Sequence, residues 1–478
     1  MVSAVDESAR LAPSRADDFF GHPRGLACLI AVEGFWAFGY FGLQAVLTLY
    51  MTHQLLTPGH VEHVLGFAAY RHMLEGGGPP LSALEIASQT YGLLTSASYA
   101  LPLLGALVAD RWLGQRRTMI LGLVVLAAAM ATLVTEQGFL IACGLIVLGT
   151  GLLKCNLMVQ IGRLYAPDDP RRTSAFAYYL ICANIGSFSS PLIAGTLAEK
   201  VSYRAGLIAL AVGMALALVA YLAGHAHIPK DPLRIARSGA AKPPPLHRRD
   251  LTVALVLVAA LVPEVLYFGA YNQAFDIFPV WAADHVQRHL FGLEMPVTWF
   301  STLDGLLTIA GAMGAIRLWD WQTRRGQPMG DMSRMAVGSA LGAIGFGILA
   351  LAAAAAGSGK APLWTGVAFF LFVDLAIPWI DTVTMALVSR AAPVSINATM
   401  MGVYGLSIAA GYFATGQLGR LYAHLSPAAF WGVHAGLGLA SLVFVALAGP
   451  YIARALATPR LKAPDAAFQA IEGREAEA

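Results

Sequence analysis

Lys154 stands in the apolar stretch GLIVLGTGLLKCNLMVQIG, surrounded by residues that cannot neutralise it. A cation at the centre of a bilayer costs roughly 2.5–3.5 kcal/mol on insertion scales. A chain that keeps one has it line a water-filled path or pair with an acid. Five acids lie in comparable apolar stretches: Glu33, Glu264, Asp304, Asp374 and Asp381. Five acids and one base cannot all be ionised in a dry bundle, because desolvation disfavours the charged form. Some must be neutral, paired or facing a wet space, the setting in which a proton is bound and released. Glu264 follows Pro263 and precedes Asn272 by about two helical turns, so the two roughly share a face. Asp374 and Asp381 also read as ordinary interhelical hydrogen-bonding groups.

These groups need helices to position them, and the composition supplies membrane helices. The chain has 478 residues, 57% hydrophobic and 12% charged; a soluble domain is about 25% charged. Helix-length apolar runs recur along the sequence, each long enough for a hydrocarbon core of about 30 Å. The expected spans are 27–50, 85–108, 118–135, 138–162, 173–198, 204–226, 251–275, 297–318, 332–356, 363–390, 396–419 and 428–453. This is an all-α membrane protein with twelve transmembrane helices. Residues 1–24 form a polar tail without a secretory signal.

Of the 31 lysines and arginines, six (Arg71, Lys200, Arg204, Arg288, Lys360, Arg420) fall on one side, Lys154 falls within a span, and the rest share the side of the termini. That asymmetry predicts both termini in the cytoplasm. The segment 227–250, HIPKDPLRIARSGAAKPPPLHRRD, is Pro-rich and basic. It reads as a cytoplasmic linker, too short for two more spans, between six-helix bundles at 25–226 and 251–455, with a cytoplasmic tail at 456–478. The largest far-side loop contains HVEHVLGFAAYRHML, which predicts a short interfacial helix ended by GGGPP.

Several chemistries find no support. Cys28, Cys143, Cys155 and Cys182 lie in apolar segments without metal-type spacing. His53, His60, His63 and His72 read as a solvated loop face, with no metal site expected. No phosphate-binding glycine loop is present, so ATP-driven pumping is not expected, and no cofactor is. The net charge of +3 is no nucleic-acid signal in so apolar a chain.

Six plus six spans with a basic linker suggest a transporter of the major facilitator superfamily. ADRWLGQRRT (Ala109–Thr118) resembles that superfamily's loop motif, a glycine turn with charges that tie the loop to helix ends. GTGLLKCN (Gly149–Asn156), RLYAPDDPRRTSAFAYYLICANIGS (Arg163–Ser187) and FGLEMPVTWF (Phe291–Phe300) resemble the proton-coupled oligopeptide transporter family in order and spacing. The likeness runs from about Glu33 to Met401.

The likeness thins at the residues that matter most. The family's first helix carries Glu-x-x-Glu-Arg and then Tyr-Tyr-Gly-x-Arg. Here Glu33 and Tyr40 are kept, while Trp36, Ala37 and Gln44 replace a glutamate and two arginines. The Phe-Glu-Gln of the seventh helix is Tyr271-Asn272-Gln273. Ile377 stands at the glutamate of the tenth, and Leu303-Asp304-Gly305 replaces Leu-Asn-Pro in the eighth. Tyr99, Lys154 and Asn184 are kept, and Tyr404 stands where a tryptophan is common.

The resemblance implies a major facilitator fold and a secondary transporter of di- and tripeptides or peptide-like molecules, not an enzyme. It implies proton-coupled alternating access in a plasma (inner) membrane, with a monomer as the working expectation. The substrate-binding candidates are Tyr40, Gln44, Tyr99, Lys154, Asn184, Tyr271, Asn272, Asp304 and Tyr404. The proton-coupling candidates are Glu33 first, with Lys154 as its partner, then Asp304, Asp381 and Glu264. Two other readings stay open. The cavity is retuned for a non-peptide small molecule, as exporter or uncoupled facilitator, or the fold serves as a transport-inactive sensor or scaffold.

Overall fold

A computed structural model describes residues 18–166, 169–229, 248–290 and 292–457. Long apolar runs build its helices, several of which continue through an interior proline: Pro102, Pro191, Pro263, Pro378 and Pro450. In order these are α1 (Arg24–Leu55), α2 (Ala83–Leu113), α3 (Gln115–Leu133), α4 (Glu136–Arg163), α5 (Arg171–Lys200) and α6 (Tyr203–His227). The second set is α7 (Asp250–Ala274), α8 (Trp299–Arg324), α9 (Asp331–Ala356), α10 (Trp364–Ala391), α11 (Asn397–Gly419) and α12 (Pro427–Leu456). Eleven of these are long and apolar enough to span a bilayer. α11 is diluted by Asn397, Thr399, Tyr404, Ser407 and Thr415, yet its 23 residues reach roughly 34 Å. Regular β structure among the described residues is limited to two two-residue ladders.

Within the first six helices, α1 packs on α5 and α6, and α3 on α4. Within the second six, α9 packs on α10 and α12, and α7 on α11. The two halves meet through α2 against α11 and α5 against α8. The first contact requires glycine: a Cβ on Gly92 would sit 2.7 Å from the Cα of Gly416.

The expected interfacial helix is broken in two. A short turn at Val61–His63 and a helix at Phe67–Glu75 are separated by Gly66, whose φ of +77° no β-branched residue would adopt easily. The span expected at 251–275 also continues further. After a tight turn at Asn272–Ala274 the chain resumes as a helix over Ile277–His285. Most of the expected linker, residues 230–247, and the expected tails before 18 and after 457 lie outside the described residues.

The cytoplasm-type loop motif behaves as its residues suggest. Gly114 turns the chain at φ +77°, and Arg116 donates to the carbonyl of His225 at the end of α6. At the start of α5, Arg171 donates through its backbone and guanidinium to Asp169. Those bonds hold the Asp169 carboxyl below the usual carboxylate range.

Candidate functional site

α1 presents Glu33, Trp36, Tyr40 and Gln44, spaced three and four apart and therefore on one stripe. All four are buried. α4 brings Lys154 against this stripe. Its ammonium donates to Glu33 Oε1 at 2.9 Å and Oε2 at 3.2 Å, and to the Tyr179 hydroxyl of α5 at 2.9 Å. The Trp36 ring covers the same ammonium, with Nζ 3.9 Å from the ring centroid. Tyr40 stacks on Trp36 at 4.9 Å. Glu33 is almost fully enclosed, while the Lys154 side chain keeps 23% exposure mid-helix. The cation therefore has an ion pair, a hydroxyl and an aromatic face, and still reaches open space.

The opposite half is built from acids. α7 carries Glu264, Tyr267 and Tyr271 on one stripe. α10 carries Asp374 and Asp381, seven residues apart; Asp374 lies one turn before a widened turn at Pro378–Thr382, and Asp381 lies within it. Pro378 lacks the N–H that would bond the Asp374 carbonyl, so the helix opens there, as such bulges often do at functional sites. Asp304 of α8 accepts from the Tyr271 hydroxyl and meets the carboxyl of Asp374. Asp381 accepts from the Tyr404 hydroxyl and meets the carboxyl of Glu264. Asp374 and Glu264 have no exposure, and none of their four carboxyl oxygens receives an N–H or hydroxyl hydrogen bond.

Other expected residues fall elsewhere. Asn272 accepts from the Tyr91 hydroxyl of α2 at 3.1 Å, away from Glu264, which turns to Asp381 instead. Asn184 donates to the Leu180 carbonyl of its own helix at 2.8 Å and lies beside Gly305, so it joins the α5–α8 contact rather than Lys154. Tyr99 meets Tyr412 edge-on at 4.6 Å, with Lys154, Asp304 and Asp381 all close enough to act on it electrostatically. His60 bonds Glu136 at 2.8 Å.

Sequence reasoning missed three groups. Trp36 counted only as a lost glutamate, although an aromatic face also holds an ammonium. Tyr179 sits in the quoted family segment with nothing to separate it from Tyr178. Asp276 lay one residue beyond the expected seventh span, so it escaped the search for buried acids. It is fully buried and accepts from Thr48 of α1 at 2.9 Å and from Ser88 of α2.

Asp276 belongs to a set of bonds that join the halves at the end remote from the termini. There Glu199 of α5 accepts from the backbone of Val297 and Thr298 at 2.7 and 2.9 Å, and His424 lies 3.2 Å from Glu85. A cavity of about 630 Å³ lies elsewhere, at the terminal-side end of the second half, lined by Met332, Leu387, Arg390 and Val445. It contains none of the expected site residues.

The sequence profile of the POT family matches residues 117–237 and 234–431. The chain belongs to the POT family. Among its curated relatives, the uncharacterized transporter YclF of Bacillus subtilis (strain 168) is 27% identical over 95% of this chain and 99% of its own. The peptide transporter YePEPT of Yersinia enterocolitica is 26% identical over 84% of this chain and 88% of its own. A crystal structure of peptide transporter POT with sulfate has a TM-score of 0.79 at 23% identity, covering 95% of this chain and 99% of that one. At that identity the likeness establishes the fold: an integral membrane protein of the twelve-helix transporter type.

Proposed function

We propose that this protein is a proton-coupled secondary transporter of small peptides or peptide-like molecules. The family and the YePEPT relative support the substrate class. The observation that carries the reading is the charge layout between the halves. A basic group, Lys154, sits on the first half, and Asp304 and Asp381 sit on the second. A zwitterion fits between them, its carboxylate sharing Lys154 with Glu33 and its ammonium facing the carboxyls. Tyr40, Gln44, Tyr99, Tyr271 and Tyr404 add amphipathic surface for varied side chains.

Transport proceeds by alternating access of the bundles 25–226 and 251–455 about the 227–250 linker. The distribution of basic residues supports cytoplasmic termini, and a plasma (inner) membrane is the location proposed with them. The bonds through Asp276 and Glu199 then close the outer end, and the conformation is inward-facing.

One observation favours a second substrate class. Trp36 covers Lys154, and Ala37 and Gln44 stand where the family's arginines would draw a carboxylate. A retuned site of this kind suits a small molecule without a peptide carboxylate. The test is uptake of a labelled dipeptide mixture into proteoliposomes, with and without an inward proton gradient. Saturable uptake driven by the gradient is expected. Absence of uptake, with no competition by peptides for any other substrate, would remove the peptide reading.

A further inference from the structure

We infer that the proton-carrying groups of this transporter are two carboxyl pairs in the second half, Asp304 with Asp374 and Asp381 with Glu264. Each pair holds one shared proton. The inference rests on the proton-coupled reading above and names the atoms that would carry it.

A buried carboxylate needs donors, and the oxygens of Asp374 and Glu264 receive none from any N–H or hydroxyl. Each instead faces a second carboxyl. Two carboxylates side by side in a dry site repel each other. One proton between them converts that repulsion into an O–H···O⁻ hydrogen bond, the arrangement that lets adjacent carboxyls coexist. No basic side chain forms an ion pair with any of the four among the described residues, and Lys154 is taken by Glu33.

The surroundings are consistent with proton sites rather than cation sites. α7 contributes Tyr267 and Tyr271, stacked at 5.4 Å, and Tyr267 donates to the Val373 carbonyl at 2.6 Å. α11 contributes Tyr404, α2 contributes Tyr99, and Thr384 of α10 lies beside Glu264. Behind Tyr267, His434 of α12 gives its Nδ1 to the Phe430 carbonyl at 2.8 Å. Tyr271 and Tyr404 donate their hydroxyls to Asp304 and Asp381, the partly exposed member of each pair. The inner member of each pair is left to its proton.

The two pairs share a moving part. α10 supplies one carboxyl to each, Asp374 one turn before the widened turn at Pro378–Thr382 and Asp381 within it. When a pair gives its proton to water entering between the halves, two carboxylates remain. Their repulsion pushes α10 from α8 at one pair and from α7 at the other. Reprotonation from the other side restores the bond. Substrate at Asp304 or Asp381 interacts with the partly exposed member of the pair and so with its proton.

The test uses the full chain in liposomes, as wild type, Glu264→Gln, Asp374→Asn and the double variant. An amide keeps the shape of a carboxylic acid and supplies the N–H its partner needs, so the fold is retained; thermal unfolding checks this. The first measurement is the infrared C=O stretch of protonated carboxyls at neutral pH, which needs no substrate. Wild type should have this band, each single variant should lose part of it, and the double variant should lose most. A band absent from wild type, or unchanged in the double variant, overturns the assignment. The second measurement is gradient-driven accumulation of the dipeptide mixture. The double variant should fall to the equilibrium level while still exchanging substrate, at reduced rate. Accumulation equal to wild type would overturn the assignment. If wild type moves no peptide at all, the peptide reading fails, and the infrared band still decides the pairs.

Discussion

In the first half, a buried cation is matched to a buried anion. In the second, four carboxyls have no cation to match among the described residues. Lys154 and Glu33 satisfy each other through two hydrogen bonds, with Tyr179 and Trp36 filling the remaining directions around the ammonium. Asp304, Asp374, Asp381 and Glu264 satisfy each other only with protons present. An ion pair of the first kind holds its protonation state, because losing either charge strands the other. A carboxyl pair changes its state when one proton leaves. On the proposed reading the first half anchors charge, and the second exchanges it.

The largest expected effect breaks the anchored side. Lys154→Ala leaves Glu33 buried without a partner, a loss of about 3–5 kcal/mol in comparable pairs. Uptake should be abolished and the melting temperature lowered, while Glu33→Gln/Lys154→Gln should regain stability without regaining transport. Full uptake by Lys154→Ala would remove the residue from the mechanism. Lys154→Arg should also transport poorly, since a planar guanidinium stays charged and does not reproduce the compact ammonium's bonds to Glu33 and Tyr179.

The next effect lies on the exchanging side. Tyr271→Phe and Tyr404→Phe each remove the one hydroxyl donor to Asp304 or Asp381. A hydrogen bond to a charged group is worth about 1.5–3 kcal/mol. Each variant should therefore lose roughly tenfold in gradient-driven uptake and shift its pH dependence. Equal pH profiles for wild type and both variants would separate the tyrosines from the proton sites. The smallest effect returns to the anchored side. Trp36→Leu removes a cation–π contact worth about 0.5–2 kcal/mol and should change substrate affinity several-fold, leaving proton coupling intact. Transport measured over a range of substrate concentrations reads this directly.

Much of the scaffold was legible because apolar length is a local property. Each expected span matches a helix within a few residues at most ends; α8 runs furthest past its expected end, to Arg324. The Lys154–Glu33 contact followed from the penalty on an unpaired cation and the family pattern. The carboxyl pairs did not follow. Asp304 and Asp374 lie on different helices, and no residue spacing tells which buried acid will face which. The helical spacing puts Glu264 and Asn272 on roughly one face, but a break at Leu261–Pro263 and a tight turn at Asn272 send them to different neighbours. Asp276 was hidden by a boundary one residue short. Trp36 was read as a deletion of charge, and only its position over Lys154 reveals what it supplies.

The division between the halves comes down to where a proton travels when substrate moves. Substrate-driven proton flux should be measured in liposomes for Glu33→Gln beside Glu264→Gln/Asp374→Asn. The account predicts that Glu33→Gln moves substrate slowly but still carries protons with it, and that the double variant moves substrate without protons. Proton flux lost in Glu33→Gln and kept in the double variant would contradict it.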